Sequence, residues 1–191
     1  MKAMVMDGFE SGGGTAQAVY KAVEDELKSC GCEIESFRLR DLTIADCAGD
    51  FLCWMKTPGT CVVDDDNRKI ARTMVNSDLH VVLTHITFGC YSSTLKKALD
   101  HLVQNINPFF RKFQGEVHHE PRYDRYPRYL AVGVLPQSDK ESERIFQTLV
   151  HRNSINMYTP AYKAGVLYEH QSPDEMRQRI RGYLGEVGVR Q

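Results

Sequence analysis

The sequence predicts a three-layer α/β fold, a single domain over residues 1–191 built on a five-stranded parallel sheet in the order 2-1-3-4-5. Three observations carry that prediction. Short apolar runs alternate with segments of helical period along the whole chain. The run L-H-V-V-L-T at 79–84 is β-branched and unbroken, as a strand covered on both faces requires. A glycine-rich turn at 8–14 joins the first apolar run to the first helical segment.

Taken in order, Ala3 to Met6 reads as the first strand and Thr15 to Ser29 as a helix with Ala16, Val19, Val23 and Leu27 on one face. Gly31 is a stop signal, and residues 33–39, with Ile34, Phe37 and Leu39, form the second strand. Asp65 to Asn76 reads as a helix and Leu79 to Thr84 as the third strand. A further helix starts near Ser92, carries Leu95, Ala98, Leu99 and Leu102 on one side and is ended by Asn107-Pro108. Tyr129 to Leu135 is the fourth strand, Asp139 to Arg152 a helix, Ala161 to Leu167 the fifth strand and Pro173 to Leu184 the last helix. Right-handed crossovers between such strands leave a crevice beyond their carboxyl ends, between strands 1 and 3, where ligands bind.

Composition narrows the partners. A net charge of -1 offers no footprint for a phosphate backbone or an acidic membrane. The apolar run at the amino terminus is too short for a signal-peptide core or a membrane span and is closed by Asp7, so a cytoplasmic location is expected. Six cysteines, Cys30, Cys32, Cys47, Cys53, Cys61 and Cys90, then read as reduced thiols rather than a disulfide framework.

Two segments flank the expected crevice. In E-S-G-G-G-T, residues 10–15, backbone amides with the Ser11 and Thr15 hydroxyls can converge on a phosphate, with Gly13 and Gly14 letting the chain approach closely. It is not a Walker motif, because no Lys follows the glycines, and it lacks the full dinucleotide pattern. In T-H-I-T-F-G-C-Y-S-S, residues 84–93, Thr87, Phe88 and Gly89 offer a flat wall and exposed amides of the kind that a flavin ring needs, while Ser92 caps the next helix.

The stretch C-A-G-D-F-L-C-W-M-K-T-P-G-T-C places Asp50 where a cluster-binding motif would want another thiol. A carboxylate is a poor fourth ligand for iron-sulfur chemistry, so redox chemistry without a cluster is expected, and no metal is assigned. Cys47, Cys53 and Cys61 with Asp50 remain a conceivable zinc set by composition, but spacing alone does not close a tetrahedron. Residues 105–128 read as a long aromatic and basic loop, with Phe109, Phe110, Phe113, Tyr123 and Tyr126 suited to an interface or a lid and Arg111 and Lys112 to a nicotinamide phosphate.

The blocks C-A-G-D-F-L-C-W-M-K-T-P-G-T-C-V-V-D-D-D at 47–66 and T-H-I-T-F-G-C-Y-S-S-T-L-K-K-A-L-D at 84–100 resemble the NADPH-dependent FMN reductase family of flavodoxin-like proteins, in the branch that contains the iron-sulfur flavoproteins. The resemblance spans roughly residues 1–136. It implies FMN at the carboxyl edge of the sheet, its phosphate on Ser11, Gly13, Gly14 and Thr15 and its ring against Thr84, Ile86, Thr87, Phe88, Gly89 and Cys90. It also implies that Lys56, Thr57, Pro58 and Gly59 lie near the flavin, and that the protein assembles as a homodimer or homotetramer.

The chain departs from the family in two places. Asp7-Gly8-Phe9-Glu10 stands where Gly-Ser-Pro and a basic residue are usual, which sets two carboxylates near a dianion. Thr84-His85-Ile86-Thr87 replaces Thr-Pro-Val-Tyr, which adds an imidazole, a possible proton donor, and removes an aromatic face. The resulting expectation is an FMN-dependent oxidoreductase passing electrons from NADPH or NADH to a quinone-like or other small acceptor, with no catalytic acid or base of its own. The alternatives are an electron-transfer flavoprotein without turnover and a binding or sensor module that has lost flavin.

Overall fold

A computed structural model describes residues 1–190. Five parallel strands form the main sheet: β1 (Lys2–Asp7), β2 (Glu33–Arg38), β3 (Leu79–His85), and two later strands separated from these by a hairpin. The hairpin strands are β4 (Ile106–Phe113) and β5 (Glu116–Pro121), so the last two sheet strands are β6 (Arg128–Leu135) and β7 (Tyr162–Tyr168). The sheet order is β2-β1-β3-β6-β7, the expected parallel arrangement with the hairpin inserted ahead of its fourth member.

The helices are α1 (Gly14–Ser29), the single-turn α2 (Leu52–Met55), α3 (Asp66–Val75), α4 (Ser93–Asp100), α5 (Lys140–Asn156) and α6 (Pro173–Glu186). Strand periodicity sorts the core into two faces. In β1, Ala3 and Val5 pack with Val19, Val23 and Leu27 of α1 and with Ile180 and Leu184 of α6. Met4 and Met6 point the other way, among Ile70 and Met74 of α3, Leu95 and Leu99 of α4, and Phe146 and Val150 of α5. Covered on both sides, β1 and β3 need no polar face, which is why their sequences are nearly continuous apolar runs.

Between α1 and α6, Glu26 is 1 % exposed and accepts from Arg177 Nε at 2.6 Å and Arg181 Nε at 2.8 Å. The two guanidiniums satisfy a carboxylate that the apolar face would otherwise expel. They also hold its pKa below the usual range, the hydrogen bond from Arg181 first among the causes.

The segment expected to be a loop at 105–128 is instead largely an antiparallel hairpin. Its turn residues Gln114 and Gly115 have φ of 50° and 81°, the left-handed pair that suits the twist of a two-residue connection. The strands escape a period-2 reading because the register shifts between Ile106 and Phe110 and because aromatic and charged residues are mixed on both faces. Glu116 fastens the hairpin to α5 through Arg152 at 2.7 Å and also pairs with His118 Nε2 at 2.9 Å. Those contacts, Arg152 first, bring the Glu116 pKa down to about 2.

Candidate functional site

After β1 the chain turns into α1 on one face of the sheet, and after β3 it turns into α4 on the other, so their loops part at the carboxyl edge and leave a crevice. A hydrogen-bonded clasp sets the spacing of the two loops. The Gly8 N–H donates to Leu83 O at 2.9 Å, and Ser92 Oγ donates to Gly8 O at 2.6 Å. The Thr84 hydroxyl accepts from the Ser92 N–H at 2.8 Å and donates to His85 O at 2.8 Å. Ser92 also caps α4 as expected, its Oγ accepting from the Leu95 N–H.

On the β1 side, Ser11 and Gly12 to Gly14 are exposed and Thr15 is half-buried. The amino end of α1 has Gly13 as its N-cap, no side-chain cap and no acidic residue in the first turn. Its first amides therefore keep their unmet hydrogen-bonding capacity and the positive end of the helix dipole. A Cβ at Gly13 or Gly14 would meet nothing within 4 Å, so an open cradle lies over the turn. Neither the Ser11 nor the Thr15 hydroxyl has a hydrogen-bond partner among the described residues.

The two acidic residues of the turn have different settings. Asp7 is buried, its Oδ1 accepting from the Phe9 N–H at 3.1 Å and its Oδ2 paired with Arg40 Nη1 at 2.7 Å. Glu10 is exposed. Phe9 is fully buried and meets His85 edge-on at 4.9 Å between ring centroids, so the added imidazole is partly a packing partner of the loop. Arg40 had no role in the sequence reading. It lies in a short 3-10 turn, Leu39–Asp41, and only the register of β2 beside β1 brings it to Asp7.

On the β3 side, Thr87 and Cys90 bond each other through both backbone pairs, at 3.0 and 2.9 Å. Between them Phe88 and Gly89 take φ of 50° and 76°. The Phe88 ring is 93 % exposed, and the Phe88 and Gly89 N–H groups have no hydrogen-bond partner among the described residues. Gly89 lies so close to Ile145 that a Cβ would sit 2.5 Å from its side chain, which fixes this turn against α5. Thr84 and Ile86, expected to touch a ring, are otherwise occupied. Thr84 is fully buried in the clasp, and Ile86 is buried and donates its N–H to Val134 O.

Among the described residues no hydrogen bond or ion pair joins Lys56, Thr57, Pro58 or Gly59 to the 11–15 or 84–90 segments. Gly59 lies against Arg122 and Tyr123, and a cleft of about 260 Å³ that it lines runs along α3 from Arg68 to Val75. Trp54 anchors that stretch, donating from Nε1 to the carbonyls of Val103 and Ile106 at 3.1 and 3.0 Å.

The three loop cysteines do converge. Cys47, Cys53 and Cys61 line a cavity of about 160 Å³ with Asp50 and His101. Burial, reinforced by the neighbouring thiols, pushes the Cys53 thiol above its usual range. Asp50 Oδ1 accepts from the Leu52 N–H at 3.0 Å, and among the described residues no group of three or more His, Cys, Asp or Glu side chains is arranged to hold a metal ion.

A row of rings runs from Phe51 through Trp54 and His119 to Phe110, with centroid separations of 5.2, 4.9 and 4.3 Å. Phe109, Phe110 and Val117 are mostly exposed beside it. Arg111 lies over the rings of Phe113 and Tyr158. No described helix is long and apolar enough to cross a membrane.

Residues 1–118 match the NADPH-dependent FMN reductase family. Among solved structures, an NAD(P)H:quinone oxidoreductase from Methanothermobacter marburgensis superposes with a TM-score of 0.71 at 11 % identity, over 97 % of this chain and 96 % of that one. A putative quinone reductase from Klebsiella pneumoniae gives 0.70 at 11 % identity, over 98 % and 85 % of the two chains. An FMN-dependent NADH-azoreductase from Bacillus anthracis, solved with FMN, gives 0.63 at 13 %, over 98 % and 97 %. At these identities the structures show a shared fold. No curated protein gives a match. The chain belongs to the NADPH-dependent FMN reductase family, and with it to the FMN-dependent oxidoreductases that draw electrons from a reduced nicotinamide.

Proposed function

We propose that FMN is held in the crevice between the β1 and β3 loops and that electrons pass there from NADPH or NADH to a quinone-like small acceptor. The observation that carries this reading is the open, uncapped amino end of α1 beneath exposed glycines, facing the crevice from the β1 side. The residues fit the group. Ser11, Gly13, Gly14 and Thr15 supply amides and unpartnered hydroxyls for a phosphate, while the free N–H groups of Phe88 and Gly89, with Thr87 and Cys90 closing their turn, suit the polar edge of a flavin ring.

When bound, FMN supplies the hydride acceptance and electron release that no side chain here provides. The chain's own task is then to position and to shield. The clasp of Gly8, Thr84 and Ser92 fixes the gap between loops, and Phe88 offers an apolar wall at its mouth. The quinone-like acceptor is consistent with the quinone reductases that share the fold.

A single domain acting as a homodimer or homotetramer in the cytoplasm completes the proposal. The exposed apolar surface at Phe109, Phe110 and Val117 favours a subunit interface. Such an interface also gives Lys56, Thr57, Pro58 and Gly59 their route to a flavin, through the neighbouring subunit rather than their own. The test is the visible spectrum of the purified protein after FMN addition and removal of free flavin. Retained flavin bands that NADPH bleaches and a quinone restores support the reading, and failure to retain or reduce FMN refutes it.

A further inference from the structure

We propose that Arg40 recognises the phosphate of FMN, reaching the Gly12–Gly14 turn from the segment after β2 and held there by Asp7; this rests on the FMN reading above. The turn itself carries no Lys or Arg between Gly8 and Gly14, and has the carboxylate of Glu10. The structure supplies a cation from another part of the chain. Asp7 and Arg40 are 33 positions apart in sequence, yet Nη1 and Oδ2 are 2.7 Å apart.

The unbonded nitrogens of the guanidinium and their place beside the turn carry the inference. Its Nη1 is occupied by Asp7 and, at 3.4 Å, by the carbonyl of Phe9. Nη2 and Nε have no hydrogen-bond partner among the described residues. The turn packs on the guanidinium beside these two nitrogens: a Cβ at Gly12 would stand 3.2 Å from Nη2, 3.5 Å from Cζ and 3.6 Å from Nε, separations that place it over the face of the fork and not in line with its edge. A planar fork with free N–H donors beside exposed glycine amides matches the oxygens of a phosphate. Glycine at position 12 lets the guanidinium lie this close to the turn.

Asp7 is a positioning residue. Its side chain is 4 % exposed, and both oxygens are engaged, one by Arg40 and the other by the Phe9 N–H. It therefore fixes the guanidinium by one nitrogen and leaves the opposite edge to the ligand. The side chain of Arg40 is 21 % exposed, shielded enough for a charge-assisted hydrogen bond to be worth more than at an open surface. The feature this residue would read is the phosphate, so its effect belongs to the choice of FMN over riboflavin.

The experiment measures FMN and riboflavin affinity by flavin fluorescence on flavin-free protein, for the wild type, Arg40→Lys and the double variant Asp7→Asn/Arg40→Met. The double variant removes both charges together, so no buried carboxylate is left unpaired. Wild-type protein should prefer FMN, and inorganic phosphate should weaken FMN but not riboflavin. The double variant should lose about ten- to a hundredfold in FMN affinity, the range for hydrogen bonds to a charged group, with riboflavin unchanged. Arg40→Lys, which keeps the charge without the fork, should lose about threefold to tenfold.

A double variant that keeps the wild-type preference for FMN overturns the inference. Should it bind neither flavin, Arg40→Lys decides: an unchanged ratio of the two affinities overturns the inference, and a selective fall for FMN supports it. Wild-type protein that binds both flavins equally refutes phosphate recognition while leaving a flavin site standing. Wild-type protein that binds neither refutes the FMN reading along with it.

Discussion

His80 makes the fold acid-sensitive in a way that can be measured. It sits in β3 on the face shared with Met6 and Tyr129, fully buried, with Nε2 3.1 Å from Met6 Sδ and its ring 5.3 Å from that of Tyr129. Nδ1 has no partner. No carboxylate stands by to support a charge, and burial lowers the pKa from 6.5 to about 3. The sign follows from proton counting. As pH falls below 6.5, the unfolded chain takes up a proton at this position and the native chain does not, so stability is undiminished above 6.5 and is lost progressively towards pH 3. With those two values, the loss is about 0.8 kcal/mol near pH 6, about 2 kcal/mol near pH 5, and approaches roughly 5 kcal/mol at pH 3 and below.

The perturbation is His80→Leu, which puts an apolar side chain of similar size in its place and removes the titrating group together with the unpaired nitrogen. Urea unfolding of both proteins at about pH 7.5, 6 and 5 gives the difference in stability, from which carboxylate effects common to both cancel. The variant should gain about 2 kcal/mol relative to the wild type between about pH 7.5 and 5. Parallel curves, agreeing within about 0.5 kcal/mol across that range, would refute the argument, because they would mean that native His80 takes up its proton as readily as the unfolded chain does.

Three further outcomes follow from the same geometry. Glu26→Ala should destabilise the protein by about 2 kcal/mol, read from chemical denaturation, since it leaves Arg177 and Arg181 without their buried partner, although both arginines can reach solvent. Phe88→Ala should leave the unfolding midpoint unchanged, because the ring is already in water, yet slow flavin reduction or acceptor turnover in stopped-flow measurements. Gly89→Val should weaken FMN binding about tenfold and cost about 1–3 kcal/mol of stability, because a side chain at φ of 76° is strained and meets Ile145.

The sheet was legible because its central strands are covered on both faces. Leu79 to Leu83 can be nearly continuous in apolar residues only if helices lie above and below, and that demand shows directly in composition. The hairpin is different. Its pairing is set by a left-handed Gln114-Gly115 turn and by attachments of Glu116 and His118 to α5, which are contacts between distant positions rather than a period. The glycine turn was legible for a similar local reason, since exposed glycines before a helix mark a place where backbone must stay open.

Side-chain roles at the crevice were less legible, because type does not reveal direction. The family resemblance makes Thr84 a ring contact, whereas its hydroxyl holds Ser92 and its own loop in register. Asp7 reads as repulsion toward a phosphate, whereas its burial allows it to persist only with a partner, and that requirement selects the cation that the turn itself lacks. The consequence is physical. Asp7 ends a buried strand, and the residue that pairs with it is thereby placed beside the glycine turn, so a charge that looks unfavourable along the sequence can be what delivers the favourable one. In this chain the delivery depends on β2 lying beside β1, with Asp7 opposite Arg38 and Arg40 one short turn beyond. A change that slipped that register would therefore weaken phosphate recognition before it touched any residue of the glycine turn.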